Sequence, residues 1–85
     1  MLISGKVQGV WYRATTKEKA KELGIKGWVR NTSDGKVEAV FEGDQNNIEE
    51  MIKWCKKGPN LANVIDVDVN PEELSEEFEG FNIRY

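Results

Sequence analysis

Apolar and polar positions alternate with period two through neighbouring stretches in the middle of the chain. From Ile25 to Thr32, Ile25, Gly27, Val29 and Asn31 fall on one side and Lys26, Trp28 and Arg30 on the other, which predicts a half-buried strand. Ser33-Asp34-Gly35 is a turn signal. Lys36 to Glu42 then returns as the second arm of a hairpin, with Val37, Ala39 and Phe41 sharing a face. A further alternating run, Val64 to Asn70, sets Ile65, Val67 and Val69 against Asp66, Asp68 and Asn70, with Val64 on the polar side, and Pro71 ends it. Elsewhere the period changes. Ile48, Met51, Ile52 and Cys55 stand at i, i+3, i+4 and i+7, the stripe of a helix packed on a core. Asp44 is placed to cap that helix and Gly58-Pro59 to stop it. A second helix is predicted from Arg13 to Leu23. It turns Ala20 and Leu23 inward, has Trp11, Tyr12 and Thr16 near its start, and leaves Lys17, Glu18, Lys21 and Glu22 in solvent as i,i+4 partners, with Gly24 as its C′ residue. Short apolar stretches at 1–5 and 81–85 read as strands, the first of them a stub.

The order is β-α-β-β-α-β with one more strand at the end. Two βαβ-like halves with right-handed crossovers make an α+β, ferredoxin-like sandwich: an antiparallel sheet, two helices on one face, and an extra short C-terminal strand. The 85 residues hold a single domain, 1–85, whose modest size demands a well-made core. Glu72 to Glu79 is acidic and reads as a solvated loop.

Charge and composition narrow the chemistry. A net charge of −3 and a pI near 5.0 argue against a general nucleic-acid or membrane-surface binder. A single cysteine, Cys55, rules out an internal disulfide and points to a reducing, cytoplasmic setting, where it reads as a small core residue. The chain has no His, which removes imidazole acid–base catalysis, Ser–His triads and the usual zinc sites.

One stretch stands out as candidate chemistry: Gly5-Lys6-Val7-Gln8-Gly9-Val10-Trp11-Tyr12-Arg13, between the first strand and the first helix. Such a loop can turn successive N–H groups into one concavity, and the first helical turn leaves its own N–H groups unpaired. Gly5 and Gly9 let the backbone curl, and Arg13 at the helix start can hold two oxygens of a phosphate at once. By spacing alone the signal is weak, and a plain strand-to-helix turn that binds nothing is the better reading. Neither a Walker loop nor a Gly-x-Gly-x-x-Gly fingerprint is present. On so acidic a chain an anion site needs a local positive spot, for which Lys6, Arg13 and Arg30 are the available groups. Lys6 and Arg30 also read as solvated surface charges, and Trp28 as a packing residue. Asn31, taken alone, reads as a structural residue beside a hairpin turn.

Two motifs together resemble the acylphosphatase family. The stretch from Gly5 to Arg13 is similar to its first signature, and Gly27-Trp28-Val29-Arg30-Asn31-Thr32-Ser33-Asp34-Gly35-Lys36-Val37-Glu38-Ala39-Val40-Phe41-Glu42-Gly43 to its second. The likeness runs on through Gly58-Pro59 to Gly80-Phe81-Asn82-Ile83-Arg84, nearly the whole chain. It implies a ferredoxin-like enzyme that hydrolyses the carboxyl-phosphate bond of acyl phosphates, with no metal and no cofactor. By the same resemblance Val7, Gln8, Gly9, Val10, Trp11, Tyr12 and Arg13 hold the phosphate, Arg13 is catalytic, and Asn31 orients the attacking water. Partners would be a small acyl phosphate and product phosphate, with no nucleic acid or membrane, and the chain would act as a monomer. The chain departs from the pattern twice. Trp11-Tyr12 stands where many members have Gly-Phe, which leaves the acyl-group preference open. Strand 1 looks shortened, and lengthening it with an extended apolar segment is expected to raise the melting temperature. Two rivals remain. One is a non-catalytic binding module of the same fold; acylphosphatase-like domains also occur in larger carbamoyl-transfer maturation proteins, where they process a carbamoyl phosphate group. The other is an RNA-binding domain, which Trp28, Phe41 and the net charge fit poorly.

Overall fold

The computed structural model describes residues 1–70 and 78–85. The strands are β1 (Leu2–Lys6), β2 (Lys26–Asn31), β3 (Val37–Glu42), β4 (Asn63–Asp68) and β5 (Phe81–Arg84); the helices are α1 (Tyr12–Glu22) and α2 (Gln45–Lys57). The acidic run from Glu72 lies, up to residue 77, outside the described residues. The sheet order is β4-β1-β3-β2-β5. The first four strands pair antiparallel, as expected. The sheet as a whole is mixed, because β5 joins the β2 edge in parallel, Gly27 opposite Phe81 and Val29 opposite Ile83.

The core lies between the inner face of the sheet and the two helices. Ile3, Val29, Val37 and Ala39 come from the strands, and Tyr12, Thr16, Ala20, Met51 and Cys55 from the helices; all are buried. These are the positions that the alternation of β2 and β3 and the stripe of α2 select. α1 ends in a Schellman arrangement, with Ile25 N–H donating to Ala20 O at 2.8 Å and Gly24 N–H to Lys21 O at 3.2 Å. Asp44 stands at the N-cap of α2, but its side chain makes no capping hydrogen bond.

β4 departs from the sequence pattern. Its pairing with β1 runs Ser4 to Asp66 and then Gly5 to Val64, so Ile65 is an extra, bulged residue. The slip puts Val64 beside Val67 against the core and turns Ile65 out, 77% exposed, with Val69 at 42%. The expected shared face of Ile65, Val67 and Val69 is therefore wrong at Ile65, and Val69 lies past the last residue of β4. Gly5 accommodates the bulge: a Cβ there would lie 2.1 Å from Asn63 O.

β1 faces β3 only at Leu2–Glu38 and Ile3–Val37. Met1 adds a pair of bonds, its amino group donating to Ala39 O at 2.8 Å and its carbonyl accepting from Ala39 N–H at 2.9 Å. Beyond Met1 a groove of about 560 Å³, lined by Ala39, Phe41, Ile48, Ile52 and Val69, lies in line with β1.

Tyr12 ties the two helices together. Its hydroxyl donates to Cys55 O at 2.8 Å, and its ring lies 5.6 Å from that of Trp54. The bond is needed because the residue four beyond Cys55 is Pro59, which has no N–H to offer. Tyr12→Phe therefore leaves a buried carbonyl without a donor. The expected cost is about 1–3 kcal/mol, a fall in Tm of roughly 4–8 °C for each kcal/mol. Thermal unfolding followed by circular dichroism checks it; an unchanged Tm would show that the bond contributes nothing.

Candidate active site

The connection from β1 to α1 is built to leave backbone donors free. Gly9 and Trp11 take left-handed conformations, φ 72° and 65°, and Trp11 is the N-cap of α1. No side chain caps this helix and no acidic residue stands in its first turn. Among the described residues no group accepts from the N–H groups of Gly9, Val10 and Trp11, and those of the first turn are open by helix geometry. The partial positive charge of the helix end adds to them.

Gly9, Trp11, Tyr12 and Arg13, which carry several of these donors, border a cavity of about 360 Å³. Of the residues expected to form the site, Val7, Gly9, Trp11, Tyr12, Arg13 and Asn31 line it. Gln8 and Val10 do not. Val10 is buried in the core. The Gln8 side chain donates to Thr32 O at 2.8 Å and Lys36 O at 2.9 Å, so it braces the loop against the hairpin turn just past Asn31. Ala14, Ile83 and Tyr85 complete the lining and were not anticipated. Ile83 and Tyr85 come from β5 and the residue after it, a strand whose parallel pairing with β2 no local pattern announces.

Arg13 is the one cationic side chain of the lining. Its guanidinium carbon sits 4.9 Å from the centre of the Tyr85 ring. Arg30 points from the other side of β2 and pairs with Glu38 at 2.6 Å, and exposed Lys6 is not in the lining. Asn31, the last residue of β2, carries a buried Oδ1 that accepts no hydrogen bond. Leaving such an acceptor unpaired costs on the order of 1–3 kcal/mol.

Among the described residues no carboxylate or amine lines the cavity. The Tyr12 hydroxyl is held above the usual phenol range by burial, and burial pushes the Cys55 thiol up to about 12. Neither is ionised near neutral pH. The arrangement can therefore bind an anion and hold a polar partner beside it, but it has no side chain fitted to carry a proton.

The acylphosphatase family model matches residues 1–83. An acylphosphatase of Haloarcula marismortui is 51% identical over 85 residues, covering all of this chain and 92% of that protein. The chain belongs to the acylphosphatase family. The crystal structure of the Bacillus subtilis acylphosphatase superposes with a TM-score of 0.94 at 32% identity, covering 99% of this chain and 93% of that one. The same acylphosphatase fold matches 12% of the much longer HypF of T. kodakarensis, at 28% identity and a TM-score of 0.86. The family match includes the loop, Arg13, Asn31 and Ile83, and of the cavity lining only Tyr85 lies past it. Among the described residues no helix is long and apolar enough to cross a membrane.

Proposed function

We propose that the chain hydrolyses acyl phosphates at this cavity, using the loop and Arg13 to hold the phosphoryl group and Asn31 to hold water. As a member of the acylphosphatase family it is a hydrolase of acid anhydrides. The observation that carries the finer reading is the unpaired Oδ1 of Asn31, buried in the lining of a cavity that also holds Arg13 and an uncapped helix start. A buried acceptor with no protein donor suits a bound water, which donates one O–H to it.

In this reading the phosphoryl oxygens lie against the N–H groups of Gly9 to Arg13 and the guanidinium. Charge-assisted bonds there strengthen as charge builds in the transition state. The water held by Asn31 attacks phosphorus, and the bond from phosphorus to the bridging oxygen breaks. An acyl phosphate dianion plus water becomes a carboxylate and dihydrogen phosphate; both protons of the water end on the phosphate. The carboxylate is a good leaving group and needs no general acid. The absence of an acid–base side chain from the lining is thus no obstacle, and the protein acts by positioning and electrostatics. No step calls for a metal.

Benzoyl phosphate hydrolysis in EDTA, followed by loss of ultraviolet absorbance, tests the reading. The parent should turn over. Asn31→Ala removes the water's acceptor but no phosphate contact, so kcat is expected to fall about a hundredfold with KM little changed. Full turnover in Asn31→Ala would refute the water-holding role, and an inactive, folded parent would refute the function.

A further inference from the structure

Trp11 is in an unusual position. It is the only non-glycine residue with positive φ among the described residues, at φ 65° and ψ 17°. A bulky aromatic residue is strained there, and glycine would not be. The conformation is fixed by Thr15, whose N–H and hydroxyl donate to Trp11 O at 3.0 and 2.7 Å. The indole gains no burial in return, since Trp11 is 74% exposed. Strain at a residue that does not pack into the fold points to use of its side chain.

Its surroundings indicate the use. Two large aromatic residues are strongly exposed among the described residues, Trp11 and Tyr85, and both line the same cavity. Ile83 lines the same cavity, and Arg13 rests against the face of Tyr85. A phosphoryl group held by the loop N–H groups and Arg13 leaves the rest of the substrate to extend past these side chains. They offer flat apolar surface and no charge beyond Arg13.

We propose that Trp11, with Tyr85 opposite, forms a platform for the acyl group and makes the enzyme prefer planar aromatic acyl phosphates to small aliphatic ones. This rests on the reading of the cavity as the acyl phosphate site. Stacking of an aryl ring on the indole stabilises the aromatic substrate, whereas an acetyl group is too small to cover it.

The test compares kcat/KM for benzoyl phosphate and acetyl phosphate in the parent, Trp11→Gly, Trp11→Phe and Tyr85→Ala. The quantity read is the ratio of the two values, in which any change to the phosphate cradle common to both substrates cancels. Trp11→Gly is expected to lower the benzoyl-to-acetyl ratio about fivefold, and Trp11→Phe to keep most of it. Tyr85→Ala, which leaves the loop sequence untouched, should lower the ratio in the same direction. A ratio unchanged in both Trp11→Gly and Tyr85→Ala overturns the platform while leaving the hydrolase reading standing. A parent that hydrolyses neither substrate overturns that reading, and the platform with it.

Discussion

Arg13→Ala is expected to lower kcat/KM for benzoyl phosphate about a thousandfold. The guanidinium can make two parallel charge-assisted bonds to a phosphoryl group, each contributing about 1.5–3 kcal/mol. Their joint loss corresponds to roughly 10²–10⁴ in rate constant. Arg13 is the only cationic lining residue, and no neighbouring Lys or Arg stands in the cavity to replace it. Unlike Asn31→Ala, this substitution should raise KM as well as lower kcat, because the phosphate is held in the ground state too. Arg13→Lys should recover only part of the loss, since an ammonium keeps the charge without the planar fork. The fold should survive: among the described residues the side chain rests on the Tyr85 ring at 4.9 Å, a contact worth about 0.5–1 kcal/mol at an exposed site. Inorganic phosphate gives a second readout, raising the Tm of the parent and not that of Arg13→Ala. Activity within tenfold of the parent would remove Arg13 from the phosphate site.

How far this site could be read from sequence differs from residue to residue. Arg13 follows a glycine loop and opens a helix, and that placement has a physical meaning wherever it occurs. Asn31 has no such mark. Its role came from the resemblance, and what now supports it is an unpaired buried oxygen that only three-dimensional packing reveals. Gln8 lay inside the recognised motif and was assigned to the cradle, yet its amide is engaged by two carbonyls of the hairpin turn. A motif marks residues that belong together without dividing binding from bracing. Tyr85 and Ile83 reach the cavity because β5 pairs with β2 from far along the chain, a contact invisible to local periodicity.

The strands show the same division. β2 and β3 pair without interruption from Lys26–Glu42 to Asn31–Val37, so strict alternation reports their faces correctly. β4 alternates as cleanly in sequence, but one bulged residue turns Ile65 out of the core face. The clue sits on the partner strand. Gly5 allows a backbone approach that any side chain would block, and a glycine inside a strand pattern is a signal for a bulge.

Gly27 carries the same logic to the centre of the sheet, where Gly27→Ala is expected to be severely destabilising. The residue has φ 136°, and a Cβ would stand 1.9 Å from Val40 O and 2.8 Å from Val40 C, both backbone atoms of β3. Neither side can yield easily. Gly27 pairs with Phe41 on β3 and with Phe81 on β5, and it donates to Gly80 O at 3.0 Å. Phe41 and Phe81, its two cross-strand neighbours, stack with ring centres 5.6 Å apart and planes 15° from parallel, so the rings close over the space a side chain would need. Relieving the clash means separating β2 from β3 or undoing that stack. The expected cost is about 3–5 kcal/mol, the upper range for a single substitution, against a total of roughly 4–13 kcal/mol for a domain of this size. Tm should fall by roughly 12–40 °C. Gly43→Ala is the control. Gly43 has no positive φ, and its Cβ would meet Ile25 Cγ1 at 3.4 Å, Ile25 Cα at 3.8 Å and Ile48 Cδ1 at 4.0 Å, all ordinary contact distances, so its Tm should stay within a few degrees. A Gly27→Ala protein that melts with the control would show that the sheet can open at this point. Asn31 lies four residues further along β2, so opening would also shift the water-holding amide. Activity in Gly27→Ala should therefore be lost at temperatures where the chain is still folded.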